Sequence, residues 1–368
     1  MNNGKKGAKA GGLLGGIIIL IIGIVLLWNN EGRTVKTQSA INEAMSSYTD
    51  VASDTIDSKY EGKVIATIGK IDLTNSNTLE DQKFGIKVTG AKLKRVVEMY
   101  QWQEECTTDE NNTENCTHTK VWSDSLIDSS QFTKSGYTNP TSFKYEGKEY
   151  FATNVKVGAF DLPERLLQSL SYNVDLDNEA LTSMYKNSVD GFKLDGNYIT
   201  NTVNSEEYKI GDLRISYSYA SDGEVSILGV QNGTTINAFV GKKGKSIYTI
   251  QRGSHTGKEM LNNMTKTNNI IKWALRVLGV ILVIGGIGSL FNPIVSLADK
   301  VPVLRNIVNF GTNLISTVLG LSISLLVIAI AWFRFRPVLS IILLLIIAGL
   351  IGFLIYKKKT ISAKTEKK

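Results

Sequence analysis

The apolar stretch GGLLGGIIILIIGIVLLW, residues 11–28, decides the fold of this 368-residue chain. A helix needs about 20 apolar residues to cross the hydrocarbon core of a bilayer, and this stretch comes close to that length without a charge. Three further apolar stretches follow at 273–292, 307–333 and 338–356. The sequence therefore predicts a multi-pass α-helical membrane protein with four spans, one N-terminal and three C-terminal.

The first apolar stretch also resembles a signal peptide, because Lys5, Lys6 and Lys9 precede it. It is followed by Trp28-Asn29-Asn30-Glu31, which is not the small-x-small sequence of a cleavage site. We therefore expect an uncleaved membrane anchor.

The segment between the first two spans, residues 29–272, is polar and must lie in water. Short runs of β-branched and aromatic residues, such as Val64–Leu73 and Leu213–Tyr219, alternate with Gly, Asn and Asp turns. A helical signal at Thr34–Tyr48 leads out of the first span, and Thr256–Glu259 has the spacing of a capping box. We expect a large strand-rich α+β domain, and a capped helix that runs unbroken into the second span.

The charge distribution predicts the orientation. The net charge is +7, but the basic residues gather in the tails 1–10 and 357–368 and at the membrane flanks, so that 29–272 is net acidic. This pattern is the positive-inside signature of cytoplasmic tails and does not indicate a nucleic-acid partner. With both tails cytoplasmic, the large domain is extracytoplasmic or lumenal. Residues 293–306 then form a short cytoplasmic-side link and 334–337 a tight outer turn.

Several cations oppose this orientation, because they would lie on the outer side. They are Arg33, Lys36, Lys272, Arg334 and Arg336. Long translocated domains follow the charge rule weakly, and arginine side chains can snorkel to the headgroups. The predicted orientation is therefore kept.

The chain has two cysteines, Cys106 and Cys116, on either side of a turn-rich polar stretch between the predicted strands Val96–Trp102 and Thr119–Trp122. A disulfide that closes the tip of a hairpin explains this placement and requires an oxidising compartment. The alternative is a pair of free thiols on a cytosolic loop.

Three sets of residues near the membrane carry recognisable motifs. They are Trp28, Glu31, Gly32 and Arg33 after the first span; Arg276, Gly279, Pro293, Leu297, Ala298, Asp299 and Pro302 in and after the second; and Trp332, Arg336 and Pro337 at the end of the third. Together with Val97–Trp102 and Gly211–Tyr217 in the domain, these motifs resemble the LUMA family, also called the transmembrane protein 43 family. The resemblance covers nearly the whole chain.

The resemblance implies a four-span protein whose large domain faces a lumen. Animal members reside in the endoplasmic reticulum and inner nuclear membrane, where they look like scaffolds that self-associate and bind nuclear-envelope proteins. The family also has bacterial members, and nothing in this sequence marks a eukaryotic host. The expected location is thus the bacterial cell membrane for a bacterial host, or the endoplasmic reticulum and inner nuclear membrane for a eukaryotic one.

Prolines are expected to shape the C-terminal spans. Asn292-Pro293 should end the second span, because proline cannot continue a regular helix and restricts the residue before it. Pro337 should begin the fourth helix in its first turn.

Small and polar residues form a stripe along the third span, at intervals of three and four. They are Asn309, Asn313, Ser316, Gly320 and Ser324. Such a stripe is typical of a helix-packing face in a membrane. A polar pathway for ions or a lipid headgroup is the alternative, but no charge lies at mid-span to favour it.

The sequence disfavours an enzyme. The only two histidines, His118 and His255, are far apart, and no metal-ligand cluster, P-loop, nucleophile elbow or dinucleotide fingerprint occurs. The Asp and Ser residues near Trp122 are typical turn caps, and we expect Trp102 and Trp122 to be cross-strand core partners. We therefore predict no catalytic, cofactor-binding or metal-binding residues.

These observations favour a non-enzymatic membrane scaffold. It would form a homo-oligomer in the lipid bilayer and bind membrane or extracytoplasmic proteins through its outer domain. A channel or transport accessory protein is the alternative, and an envelope enzyme is a less favoured one.

Overall fold

The computed structural model describes residues 4–108, 114–202, 208–298, 302–338, 340–342 and 345. Contacts divide this backbone into two units. One unit comprises Met1–Ser46, Val240–Ser246 and Leu261–Lys368, and its described part is mostly helical. The other comprises Ser47–Phe239 and Ile247–Met260 and is rich in strands. The predicted combination of membrane helices and a strand-rich domain is thus present.

The described residues contain five α-helices. They are α1 Gly4–Ser47, α2 Glu164–Ser169, α3 Asn178–Met184, α4 Gly257–Ala298 and α5 Pro302–Phe335. Three are long and apolar enough to cross a membrane, over Leu14–Ser47, Gly257–Phe291 and Gly311–Phe335. The predicted fourth span, 338–356, lies largely outside the described residues. Its start is helical, since helical backbone resumes at Pro337 after the non-helical Arg336.

Helix α4 begins where the sequence predicts. The backbone N–H of Thr256 donates to Glu259 Oε2 at 2.9 Å, and the N–H of Glu259 donates to Thr256 Oγ1 at 3.3 Å. This reciprocal pair is the predicted capping box, and it satisfies two of the N–H groups that a helix start leaves without partners.

The C-terminal end of α4 differs from the expectation. The helix continues through Asn292 and Pro293 to Ala298 instead of ending at that pair. A proline removes one helical hydrogen bond, but membrane helices tolerate it where neighbouring groups satisfy the freed carbonyl. The apolar stretch that can cross a membrane nevertheless ends at Phe291.

Glycines allow α4 to lie very close to the other two long helices. A Cβ atom at Gly286 of α4 would lie 2.6 Å from the backbone N of Leu20 in α1. A Cβ at Gly320 of α5 would lie 2.5 Å from Ile284 Cγ1 of α4. These separations are shorter than carbon atoms tolerate, so the bundle requires glycine at both contacts, as in small-residue helix interfaces of membrane proteins.

We expect Gly286→Ala to lower the free energy of unfolding by about 1–3 kcal/mol, because the added methyl overpacks the contact with Leu20. The adjacent Gly285 is a matched control, since a Cβ there would meet nothing within 4 Å. Gly285→Ala should be neutral or stabilising by up to about 1 kcal/mol, because alanine is the better helix former. Equilibrium unfolding in mixed detergent micelles measures both, and equal effects would contradict the close approach.

Eighteen strands lie in the described residues. They are β1 Thr49–Ala52, β2 Val64–Asp72, β3 Leu79–Asp81, β4 Ile86–Val88, β5 Lys92–Thr108, β6 Glu114–Ser123, β7 Lys148–Phe151, β8 Lys156–Val157, β9 Phe160–Asp161, β10 Val174–Asp175, β11 Lys193–Asp195, β12 Tyr198–Thr200, β13 Leu213–Ala220, β14 Gly223–Asn232, β15 Thr235–Asn237, β16 Phe239–Val240, β17 Ser246–Ile247 and β18 Thr249–Arg252.

Most of these strands form two seven-stranded sheets. The first has the order β1-β2-β8-β9-β15-β14-β18, and β14 also pairs with β2, so the path from β2 to β14 closes on itself. The second has the order β11-β12-β13-β5-β6, with β10 on β13 and β7 on β5. Side chains from both sheets, including Ile65, Ile227, Val97 and Ile215, share one buried hydrophobic core. Buried and half-buried positions alternate over the first six residues of β13, which agrees with the period of two expected for a strand.

Strands β5 and β6 form a long hairpin, and the predicted disulfide closes it. Cys106 lies directly opposite Cys116 in the register, and their sulfur atoms are bonded. The predicted disulfide is therefore present.

The hairpin register corrects the expectation for its two tryptophans. Trp122 lies opposite Tyr100, whereas Trp102 lies opposite Lys120, so the two indoles are not direct cross-strand partners. Both are half-buried, and Trp102 instead packs edge-on against Tyr137 at a ring separation of 4.8 Å. The spacing of strand residues cannot give this pairing, because the register depends on the turn.

A buried carboxylate joins three strands of the core. Asp81, at the end of β3, is 1% exposed, and its Oδ2 accepts hydrogen bonds from Arg95 Nη1 of β5 and from Tyr217 Oη of β13, both at 2.7 Å. Arg95 also donates to the carbonyl of Glu146. Burial and the adjacent Asp81 carboxylate raise the pKa of Tyr217 well above its ordinary value, so its hydroxyl stays protonated as a donor.

We expect Asp81→Asn to destabilise the full chain by about 3–5 kcal/mol, because it leaves the Arg95 guanidinium buried without its counter-charge. Glu80→Gln is the matched control, because Glu80 lies in the same strand and pairs with Lys87 on the surface. Its expected cost is about 0–1 kcal/mol. Chemical denaturation in mild detergent, followed by near-ultraviolet circular dichroism, distinguishes the two, and similar losses would contradict a buried, organising role for Asp81.

Candidate functional site

Motif residues from opposite ends of the chain meet in a polar cluster of the helical unit. Its centre is Glu31 of α1, whose side chain is fully buried. Glu31 Oε1 accepts a hydrogen bond from Arg276 Nε of α4 at 2.6 Å, and Oε2 accepts one from Trp332 Nε1 of α5 at 3.0 Å. One carboxylate therefore binds a side chain from each of the other two long helices.

The surroundings of Arg276 explain how charges are tolerated here. Its guanidinium pairs with Glu31 and lies 4.9 Å from the ring centre of Trp273 and 5.9 Å from that of Trp332. Ionised side chains are costly in an apolar environment unless they are paired and hydrogen-bonded, and aromatic faces add a favourable cation–π contact. Arg276 has both kinds of partner, so its charge is compensated by Glu31.

Further hydrogen bonds join α1 and α4 on the same side of the cluster. Asn30 Nδ2 donates to the carbonyl of Lys272 at 2.9 Å. Arg33 Nη1 donates to Asn268 Oδ1 at 3.0 Å, and Asn268 Nδ2 donates in turn to the carbonyl of Thr34 at 3.1 Å. These bonds cross between the helices in both directions and so hold α1 and α4 in one register.

Gly32 and Trp28 make room for the end of α5. A Cβ atom at Gly32 would lie 2.8 Å from Phe335 Cζ, so only glycine lets this ring lie against the α1 backbone. The ring of Trp28 packs edge-on against Phe335 with centroids 5.6 Å apart. The Glu31-Gly32 pair thus supplies a buried acceptor and, beside it, the space for an aromatic side chain.

The predicted motif residues are distributed as follows. The cluster contains Trp28, Glu31, Gly32, Arg33, Arg276 and Trp332. Gly279 packs against Leu27. Arg336, just before Pro337, lies 5.8 Å from the Trp332 ring centre. The backbone is helical at Pro293, Leu297, Ala298 and Pro302, but their side chains are not among those that the structure describes. Asp299 lies wholly outside the described residues.

The polar stripe of the third span divides between two faces of α5. Ser316, Gly320 and Ser324 are buried, and Gly320 contacts Ile284 of α4, whereas Asn313 is exposed. The side chain of Asn309 lies outside the described residues. The buried members line a helix contact, and no ionisable group accompanies them on α5 between Gly311 and Phe333.

Both histidines have neighbouring acceptors in the described part of the chain. His118 Nε2 lies 2.8 Å from Glu104 Oε2, and His255 Nε2 lies 3.0 Å from the carbonyl of Arg252. Glu104 also lies near the sulfur atoms of Cys106 and Cys116, but a disulfide provides no thiolate to bind a metal.

Sequence reasoning missed the pairing between helices. Asn30, Asn268 and Trp273 were not singled out, and Glu31 and Arg276 were recognised only as motif residues. A signal was present, because a lone acid and a lone base at the ends of two apolar stretches are expected to pair within a membrane. The indole donor of Trp332 had no comparable signal.

Comparisons with known proteins find relatives along most of the chain. The family model described as Transmembrane protein 43 matches residues 99–337. Transmembrane protein 43 of Homo sapiens is 28% identical over 363 residues, which cover 93% of this chain and 88% of the relative. The Transmembrane protein 43 homolog of Drosophila melanogaster is 27% identical over 348 residues, or 90% of each chain. No solved structure matches.

We expect Glu31→Gln to lower the free energy of unfolding by about 3–5 kcal/mol, because Arg276 then stays buried without a counter-charge. The double variant Glu31→Gln/Arg276→Gln should recover part of the loss, since it removes the uncompensated charge. Lys36→Gln, at an exposed position of α1, is the control and should change little. Unfolding in mixed micelles measures all three, and a loss below about 1 kcal/mol for Glu31→Gln would contradict a buried pair.

Proposed function

This chain belongs to the transmembrane protein 43 family, and from the way its motif residues are used we propose that it is a non-enzymatic integral membrane scaffold. In this proposal it self-associates within the membrane and binds other proteins through its strand-rich domain. The observation that carries the proposal is the use of both Glu31 carboxylate oxygens to hold Arg276 and Trp332. The most distinctive charged group near the membrane is thus engaged in joining helices.

The strand-rich unit supports the same proposal. Its buried acid, Asp81, is engaged by Arg95 and Tyr217 within the core. Asp128 accepts from the backbone N–H of Ser130, which is the turn-capping use of aspartate. A protein that works through its surface and its fixed shape needs no free nucleophile or general base.

We propose a topology of four spans, with both basic tails in the cytoplasm and the strand-rich domain on the opposite side. The Cys106–Cys116 disulfide supports the placement of the domain, because such bonds persist in oxidising compartments. The location would be the bacterial cell membrane or the endoplasmic reticulum and inner nuclear membrane, according to the host.

A channel or transport accessory role has less support. Ser316, Gly320 and Ser324 lie in a helix contact, and conduction is usually marked by ionisable groups at mid-membrane depth.

Self-association can be tested by placing single cysteines on the bundle. The native cysteines, Cys106 and Cys116, are bonded to each other and so cannot form intermolecular disulfides. The unmodified chain is therefore the background control. Cysteines replace exposed residues one at a time, at Ile18 of α1, Val277 of α4 and Leu319 or Leu326 of α5. We expect intermolecular disulfides at positions along one helix face, because a specific interface repeats with the helical period.

Cysteines at the buried Ser316 and Ser324 are the orientation controls and should give no dimer. The proposal is wrong if no exposed position crosslinks on the described faces of α1, α4 and α5 and the gently solubilised protein has the mass of a monomer. Co-purification after crosslinking in the native host then tests the second half of the proposal, since a scaffold must retain protein partners.

A further inference from the structure

A polar groove lies in the helical unit beside α1 and α4, and the proposed function makes no use of it. Its volume is about 500 Å³. No carboxylate lines it. The lining contains three cations, which are Lys243, Lys272 and Arg336. The other lining residues are the neutral polar Thr34, Gln38, Ser39, Asn42, Thr265 and Asn269 and the apolar Val35.

We propose that this groove binds the phosphate of an anionic phospholipid headgroup. Three features support the assignment: three cations and no carboxylate line the groove, amide and hydroxyl groups lie among the cations, and one end of the groove lies at headgroup level.

The cations of the groove outnumber the acids beside it. Lys243, Lys272 and Arg336 line the groove, and no carboxylate does. Glu31 is already bound by Arg276 and Trp332. Glu43 is the acid next to Lys243 and attracts its charge, but its carboxylate also accepts hydrogen bonds from the Ser39 hydroxyl and the Lys242 backbone. The groove therefore keeps an excess of positive charge.

Uncharged donors accompany the cations. Asn42 accepts from Gln38 Nε2 at 3.0 Å and Asn269 accepts from Lys272 Nζ at 2.9 Å, in both cases through the amide oxygen. Each NH₂ group then remains to donate to a ligand. Phosphate oxygens accept several hydrogen bonds at once, so mixed cationic and amide linings suit them.

The groove begins at the level of the lipid headgroups. Trp28, Trp273 and Trp332 lie near the ends of the exposed apolar parts of the three helices, and tryptophan is typical of the membrane–water interface. Lys272 and Arg336 are close to this level, because Lys272 lies over the Trp273 ring at 5.6 Å and Arg336 over the Trp332 ring at 5.8 Å. A phospholipid could thus reach both cations with its phosphate while its acyl chains stay in the apolar layer.

The proposal also accounts for an unusual feature of the sequence. Lys272 and Arg336 belong to the cations that oppose the positive-inside rule on the outer side of the membrane. A bound anionic headgroup would compensate this charge. Arg276 needs no such ligand, since it pairs with Glu31.

The test compares lipid retention by the full chain, purified in mild detergent, using native mass spectrometry. The probes are dioleoyl-phosphatidylglycerol and dioleoyl-phosphatidylcholine, which share acyl chains and differ in net charge. We expect the first to bind preferentially. Lys243→Gln/Lys272→Gln should weaken its binding about fivefold for each cation, the factor that corresponds to about 1 kcal/mol per basic residue near an anionic surface.

The matched control is Lys36→Gln/Lys266→Gln, which removes the same charge from exposed positions of α1 and α4 that do not line the groove. It should change the affinity less than twofold. Equal weakening by the two pairs, or equal retention of the two lipids, overturns the site. Unfolding midpoints of both variants confirm that the bundle is intact, and Arg336→Gln serves as a second groove variant if Lys272→Gln lowers the midpoint.

A soluble anion could supply the same phosphate chemistry, so inorganic phosphate is titrated as a competitor. Displacement of phosphatidylglycerol only at high phosphate concentration supports the lipid as the ligand. Tight, groove-dependent binding of inorganic phosphate in the absence of lipid would assign the groove to a soluble anion and overturn the lipid assignment.

Discussion

The helical unit depends on one buried carboxylate. Glu31 uses its two oxygens for two different helices, Arg276 on one side and Trp332 on the other. Burying the Glu31 carboxylate costs free energy unless Arg276 and Trp332 both bind it. Helices α1, α4 and α5 therefore favour the arrangement that brings these three side chains together. The close contacts at Gly32, Gly286 and Gly320 follow from the same requirement, because the helices must approach closely enough for these bonds to form.

The strand-rich unit is built on a similar device. Asp81 receives Arg95 and Tyr217 from two neighbouring strands, as Glu31 receives Arg276 and Trp332 from two helices. In both units an acid, an arginine and an aromatic donor from three different elements meet in the interior. Buried networks that are fully satisfied favour one arrangement over others, because any alternative leaves a charge without a partner. This property suits a protein whose proposed work is to present a fixed surface in a membrane.

Local signals in the sequence predicted local structure well. The Thr256–Glu259 capping box, the helical start at Pro337 and the Cys106–Cys116 disulfide were all expected, because each depends on residues a few positions apart or on one hairpin. Expectations failed where the result depended on neighbours in space. Helix α4 continues through Pro293, and the hairpin register places Trp102 opposite Lys120.

The sequence by itself determined that the chain crosses a membrane, that a strand-rich domain lies between its apolar segments, and that it resembles the transmembrane protein 43 family. Composition and hydrophobic length suffice for the first two conclusions, because the bilayer selects long apolar helices. The motifs beside the apolar segments carry the resemblance. Only the tertiary structure decided which charges are neutralised. Arg276 and Lys272 lie one helical turn apart, yet one is paired with Glu31 and the other lines an open groove. Two charged side chains pair only if their charged atoms lie within a few ångströms of each other. That separation depends on how residues from three distant parts of the chain pack together.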